Sequence, residues 1–236
     1  MTPADASTAR PVALITGASR GIGRAIADAL AADHHLLLGG RDRDALDELA
    51  AGLPSAEPFA ADLTDPAATA RAVEELDLPA GLAALVHSAG ILVSGRVDEL
   101  AAEDWSRSLT ANVAAVADLT RLLLPALRRA HGTVVTLNSG SGFSSGPGGG
   151  AYSASKFALR ALTDSLREEE RAHGVRVSSI HPGRVDTDMQ HELRAYEHGD
   201  YERENYLRPA SVAAAVAFAV RAPSEASVDV LSIRPR

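Results

Sequence analysis

Residues Val12 to Ala32 read VALITGASRGIGRAIADALAA. A short apolar run, Val12 to Thr16, gives way to TGASRGIG at Thr16 to Gly23, and a helical pattern follows from Arg20 to Ala32. Strand, glycine-spaced turn and helix in that order are the opening of a β-α-β unit. Gly17, Gly21 and Gly23 permit a tight turn and a close backbone approach to a pyrophosphate, whose charge the free N–H groups of the helix start can receive. The glycine string alone also fits a plain strand-to-helix turn; its position between a strand and a helix favours the dinucleotide reading.

The same alternation continues along the chain. Strands are expected at Val12 to Thr16, His35 to Gly39, Pro58 to Ala61, Leu82 to His87, Gly132 to Asn138, Val175 to His181 and Asp229 to Ile233. Helices are expected near Arg20 to Ala32, Arg43 to Ala51, Pro66 to Glu75, Glu103 to Ala130, Ser153 to His173 and Pro209 to Arg221. Strands apolar on both faces, alternating with helices, imply one α/β domain with a doubly wound, Rossmann-type parallel sheet of about seven strands covered by helices on both sides. No repeat or linker divides the 236 residues.

Composition narrows the function. A net charge of -8 argues against nucleic acid or an anionic membrane as partner and leaves small molecules. With no cysteine, disulfides and thiolate chemistry are excluded, which fits a reducing, cytoplasmic setting. The N-terminal MTPADASTAR has no apolar core of a signal peptide. The longest uncharged apolar run, Val212 to Val220, is far shorter than the ~20 residues that span a bilayer.

The end of the second strand bears on the choice of dinucleotide. An acid is usual there in NAD sites, where it holds the ribose hydroxyls. Here Gly40 stands in that place and Arg41 follows. Arg41 and Arg20 suit a 2'-phosphate through planar, multidentate hydrogen bonds, which favours NADP(H) over NAD(H). Asp42 and Asp44 fit capping of the next helix, with a ribose contact as the alternative, and the two arginines also fit ordinary solvated charges.

Of 23 basic residues, only Lys156 is a lysine, and it lies four places after Tyr152 in AYSASKFALRAL, Ala151 to Leu162. At the start of a helix this spacing puts both side chains on one face. A neighbouring cation stabilises phenolate and is expected to bring the phenol toward the working range of an acid-base group. Ser139 follows the fifth strand, at the end of the sheet where ligands bind, and fits a hydrogen bond to a substrate carbonyl. Asn112 lies inside a long helix, where asparagine is a poor helix former, and fits either a surface amide or a polar group anchoring water near the lysine.

In order and spacing these segments resemble the short-chain dehydrogenase/reductase family: TGASRGIG at 16 to 23, Asp62-Leu63, His87-Ser-Ala-Gly90, Asn112, Ser139, Tyr152-Ser-Ala-Ser-Lys156 and Pro182-Gly-Arg-Val-Asp-Thr187. The resemblance implies hydride transfer between nicotinamide C4 and a carbonyl or alcohol carbon. Tyr152 would be the proton donor or acceptor, Lys156 would lower its pKa and bind the nicotinamide ribose, Ser139 would polarise the carbonyl, and Asn112 would hold a water linking Lys156 to solvent. It also implies cofactor contacts from Gly17, Ser19, Arg20, Gly21, Ile22 and Gly23, from Arg41, and from Asp62 and Leu63 at the adenine. Ala89 and Gly90 would lie beside the cofactor, with Pro182, Gly183, Val185 and Thr187 toward the carboxamide. Residues 184 to 208 correspond to a substrate lid, and the two long helices to the pairing surfaces of a homodimer or homotetramer. One departure stands out: the family's Asn-Asn-Ala-Gly is His-Ser-Ala-Gly here, and His87 reads as structural.

Two other classes compete. Gly142-Phe-Ser-Ser-Gly146 matches the string of a hydrolase nucleophile elbow at Ser144, but Gly-Pro-Gly-Gly-Gly follows where a helix should start. A non-catalytic NADP(H)-binding sensor would share the fold without turnover. No metal is expected: His191, Glu192 and His198 lack a ligand spacing, and Asp186 and Asp188 read as solvated. The lid segment carries seven acids against four arginines, which mildly disfavours anionic substrates, and Phe143 with the glycines at 146 and 148 to 150 is expected to border the substrate pocket.

Overall fold

The computed structural model describes residues 10–236, so the N-terminal stretch read as free of a signal peptide lies outside the described residues. Seven strands among them form one parallel sheet: β1 (Val12–Thr16), β2 (His35–Gly40), β3 (Ala56–Ala60), β4 (Ala84–His87), β5 (Thr133–Leu137), β6 (Arg176–Pro182) and β7 (Val230–Ile233). Their order is β3-β2-β1-β4-β5-β6-β7. The chain winds outward from β1 in one direction and then, from β4, in the other. That reversal between β1 and β4 opens a crevice at the carboxyl ends of the strands.

Alternate side chains of the inner strands enter opposite apolar clusters. On one face Ala13, Ile15, Leu36 and Leu38 pack with Ile26 and Leu30 of α1 (Gly21–Leu30) and with Val212 and Val216 of α8 (Pro209–Val220). On the other, Leu14, Leu37, Leu85, Val134 and Val177 meet Leu119, Leu123 and Leu127 of α5 (Ala115–Ala130). Helices α2 (Arg43–Ala51) and α3 (Pro66–Glu74) are fixed at their starts by Asp42, which accepts Ala45 N–H, and by Asp65, which accepts Ala67 and Ala68 N–H. Asp42 is therefore a helix cap, as read from the sequence.

The expected single helix from 103 to 130 is interrupted. α4 (Ala102–Leu109) passes through one π-helical turn at Thr110–Ala114 before α5 begins. The inserted residue swings Asn112 inward, where it is 1% exposed. The run Ala102–Ala130 is long and apolar enough to cross a bilayer by length and composition, but here its α5 face is buried on the sheet. α6 (Gly150–Glu170) carries Tyr152 and Lys156 in its first two turns. A helix not foreseen, α7 (Asp188–Tyr196), follows β6.

Candidate active site

The crevice is a cavity of about 560 Å³ at the carboxyl ends of the central strands. Its walls include Gly17, Ser19, Arg20, Gly21, Ile22, Gly23, Arg41, Asp62, Leu63, Ala89, Gly90 and Thr187, twelve residues singled out in the sequence. Gly17 has φ +67°, and a Cβ on it would meet Ala89 Cα at 2.9 Å, so only glycine lets the turn close against the β4 loop. Thr16 secures that loop: its hydroxyl oxygen accepts both Ser88 and Ala89 N–H at 3.0 Å.

The start of α1 differs from those of α2 and α3. Its N-cap position is Arg20, whose side chain offers no acceptor, so no side chain caps the helix that opens onto the cavity. N–H groups left in this way suit the oxygens of a phosphate. The glycine-lined cradle, the uncapped helix start and the arginines Arg20 and Arg41 of the wall together fit a dinucleotide. Asp62, at the far wall, accepts Thr64 N–H at 2.9 Å and its hydroxyl at 2.7 Å, and these bonds hold its carboxyl below the usual range.

Lys156, 5% exposed, donates from Nζ to Leu137 O at 2.9 Å, with Nζ 5.7 Å from the Tyr152 ring centre. Burial lowers the ammonium to about 8. Burial also pushes the Tyr152 phenol up, opposed by its hydrogen bond with the Ser139 side chain. The expected lowering of the phenol by Lys156 is not found in this structure: burial raises the phenol, and the opposing partner is Ser139.

Ser139 Oγ accepts Ser141 N–H at 3.1 Å, so its own proton is directed elsewhere, toward the Tyr152 phenol. The Asn112 amide is engaged away from Lys156: Oδ1 accepts Ile91 N–H at 2.9 Å, and Nδ2 donates to Ile91 O and Ser155 Oγ, each at 3.0 Å. Ser155 in turn donates to Tyr152 O at 2.7 Å. Asn112 therefore ties the loop after β4 to the helix that carries the tyrosine.

Five residues assigned to the cofactor by resemblance, Tyr152, Lys156, Pro182, Gly183 and Val185, do not line this cavity. Val185 is 6% exposed and packs in the core, and Gly183 N–H donates to Ile233 O at 2.7 Å. Conversely, Ile91, Leu92, Arg107, Met189 and Glu192 line it without having been foreseen. Arg107 stands five residues before Asn112 on the same helical run, a spacing that does not share a face of an α-helix, so no local signal pointed to it.

Other expectations change. Ser144 is exposed in an irregular segment, beyond a 3₁₀ turn at Gly140–Gly142, so it has no strand-to-helix elbow. His87, 3% exposed, donates from Nε2 to Thr120 Oγ1 at 2.9 Å, because that hydroxyl's proton goes to Val116 O. Burial holds the imidazole near 3, neutral and structural. Several acids of segment 184–208 are paired: Asp186 with Arg203, Asp188 with Arg20, and Glu197 with Arg184 and Arg194. They present less free negative charge than the count suggested. The two ends of the segment are joined through Asp186 N–H to Leu207 O and Leu207 N–H to Arg184 O.

Residues 11–198 match the family model described as short chain dehydrogenase. An uncharacterised oxidoreductase of Staphylococcus saprophyticus is 32% identical over 95% of this chain and 97% of its own. The glycine betaine reductase ATRR of Emericella nidulans is 33% identical over 95% of this chain but only 19% of that protein. Among solved structures, an alcohol dehydrogenase from Thermococcus sibiricus in complex with 5-hydroxy-NADP superposes with TM-score 0.86 at 30% identity, covering 96% of this chain and 97% of its own. A candidate NAD(P)-dependent gluconate 5-dehydrogenase from Beutenbergia cavernae, with NADP bound at low occupancy, gives 0.86 at 34%, covering 97% of each chain. With a matching family model over most of its length and relatives aligned almost end to end, the chain belongs to the short-chain dehydrogenase/reductase family of oxidoreductases.

Proposed function

We propose that the protein is an NADP(H)-dependent carbonyl reductase or alcohol dehydrogenase in which Tyr152 is the general acid and base. The observation that carries the reading is geometric: Tyr152 and Lys156 share the first two turns of α6, with the ammonium 5.7 Å from the centre of the phenol ring. At neutral pH the phenol, raised further by burial, keeps the proton that a carbonyl oxygen needs as it becomes an alkoxide. The nicotinamide, when bound, supplies or takes the hydride. Ser139 donates its hydroxyl proton to the same oxygen and orients it. Lys156, charged below about pH 8, stabilises the phenolate left after proton transfer. Asn112 holds the Ile91 backbone and the Tyr152 turn together, which keeps donor and cofactor wall in register.

NADP(H) is favoured by Arg20 and Arg41 on the cavity wall, with Asp42 occupied as a helix cap. The two nucleotide-bound relatives described above carry NADP or its 5-hydroxy derivative. Residues 184–208 act as the substrate lid. A second copy of the chain pairs through the long helices, where Leu109 and Phe157 are exposed.

A panel of aldehydes, ketones, diketones and secondary alcohols, run with NADPH, NADH and their oxidised forms, tests the reading. Reduction of at least one carbonyl, faster with NADPH, is expected. NADPH binding without turnover of any member would favour the sensor reading, and faster reaction with NADH would overturn the cofactor assignment.

A further inference from the structure

His181 lies at the end of β6, 1% exposed, where a polar ring is costly to bury unless it is hydrogen-bonded. Both its nitrogens are engaged. Nδ1 lies 2.9 Å from Ser139 O, and since a carbonyl can only accept, Nδ1 carries the proton. Nε2 lies 2.8 Å from Ser179 Oγ and, in the neutral ring, accepts the serine proton. Burial favours that neutral ring. The Phe143 ring covers the imidazole at 4.2 Å between centroids, and Arg160 lies over Phe143 in turn.

Ser139 needs such a hold. β5 ends at Leu137, and the last backbone bond joining it to β6 is Asn138 N–H to Ile180 O at 2.8 Å. Beyond that point sheet pairing no longer fixes the chain. The Ser139 carbonyl instead accepts two donors, Gly142 N–H from its own turn and His181 Nδ1–H from the neighbouring strand. Only the second ties the serine to the rigid sheet. Rotation of this peptide would swing the Ser139 hydroxyl away from the Tyr152 phenol.

We propose that His181 is a positioning residue for the reaction, its Nδ1–H fixing the Ser139 peptide and so the direction from which the Ser139 hydroxyl meets the substrate oxygen. The inference rests on the role of Ser139 given under the proposed function. It makes the donor at the Nδ1 place essential, rather than the bulk of the ring.

Three substitutions separate donor from bulk. Asparagine carries its amide nitrogen on Cγ, as histidine carries Nδ1. Glutamine carries it one bond further out, near the place of Nε2, and leucine fills the space with no donor. His181→Asn, His181→Gln, His181→Leu and Ser139→Ala are compared with the unaltered protein. NADPH affinity is measured by fluorescence titration, and kcat and KM with the carbonyl the unaltered protein reduces fastest. The Gln and Leu variants are expected to bind NADPH normally but lose about tenfold to a hundredfold in kcat, as expected for a misdirected catalytic group. The Asn variant is expected to restore kcat to within about threefold, since its donor returns. Full kcat in the Gln or Leu variant, or equal loss in Asn and Gln, overturns the inference. If the Leu variant does not fold, the Asn and Gln pair decides. Normal turnover in Ser139→Ala would remove the role of Ser139 itself, whereas loss there with full activity in the Gln and Leu variants would remove only that of His181.

Discussion

The Lys156 ammonium stands 5.7 Å from the centre of the Tyr152 ring and donates its hydrogen bond to Leu137 O at 2.9 Å. Burial drives both groups toward their neutral forms, the phenol upward and the ammonium down to about 8. Below that pH the lysine is charged, and above it the charge is lost. The value of kcat/KM for reduction, which reports the free enzyme, is therefore expected to be level near pH 7 and to fall about tenfold per unit once Lys156 has titrated. A profile flat to pH 10 would show that the lysine charge does not matter.

Removing the phenolic oxygen takes away the proposed proton donor and leaves the ring that fills the space. Tyr152→Phe is expected to bind NADPH within about threefold of normal while kcat falls about 10² to 10⁴-fold, the usual worth of a positioned acid. Substantial residual turnover would remove Tyr152 as the acid.

Cofactor choice is expected to follow two arginines with different present company. Arg41→Asp exchanges a phosphate donor for a repelling carboxylate and should move the NADPH-to-NADH ratio of kcat/KM toward NADH by about tenfold or more, as loss of a charged hydrogen bond implies. Arg20 is held at 3.1 Å by Asp188, but the two side chains are 74% and 66% exposed, and such pairs are weak. Asp188→Asn frees the guanidinium for the 2'-phosphate, and NADPH KM should drop about two- to fivefold with NADH KM unchanged. Equal changes for both cofactors would place Arg20 away from that phosphate.

The seven strands were legible because parallel strands buried on both faces read as continuous apolar runs; every residue of β4 and β5 is buried. Their limits shifted by one or two residues, as with β3, which starts at Ala56 rather than Pro58. α7 was not legible: only Gln190 of its residues is buried, so DMQHELRAY has no apolar stripe. The π turn at Thr110–Ala114 was hidden as well, since one extra residue leaves the apolar pattern of the long run continuous. The glycine turn and the Tyr152 and Lys156 pair were readable because local spacing defines them. Arg107, Met189 and Glu192 reach the cavity through tertiary packing, and so does His181 reach Ser139, 42 residues away.

His87 stands where the resemblance places asparagine, and its burial has a cost that depends on pH. Its imidazole titrates near 3 when folded and near 6.5 in the unfolded chain, so between those values the unfolded state binds the extra proton. Stability is full above pH 6.5 and is lost as pH falls toward 3, by about 1.4 kcal/mol per unit at most. Urea unfolding at pH 7.5 and pH 5.0 should show a smaller loss for His87→Asn than for the unaltered protein, the gap being about 2 kcal/mol. Equal losses would mean that His87 is already protonated or exposed.

Gly23 is where α1 touches the turn it grows from. A Cβ there would fall on the Gly17 carbonyl oxygen and within 3.1 Å of Ala18 N, both backbone atoms that cannot step aside. Gly23→Ala must push the helix start away from the turn, separating the N–H groups proposed to face a pyrophosphate from the glycines that would admit it. NADPH affinity, read by fluorescence titration, is expected to fall at least about tenfold. Gly52→Ala supplies the contrast. Its φ is -88°, and the added Cβ would meet only Leu49 O at 3.5 Å, so affinity should be unchanged and stability within about 0.5 kcal/mol. Should Gly23→Ala bind NADPH as tightly as Gly52→Ala, the close contact of helix and turn would not be what forms the phosphate site.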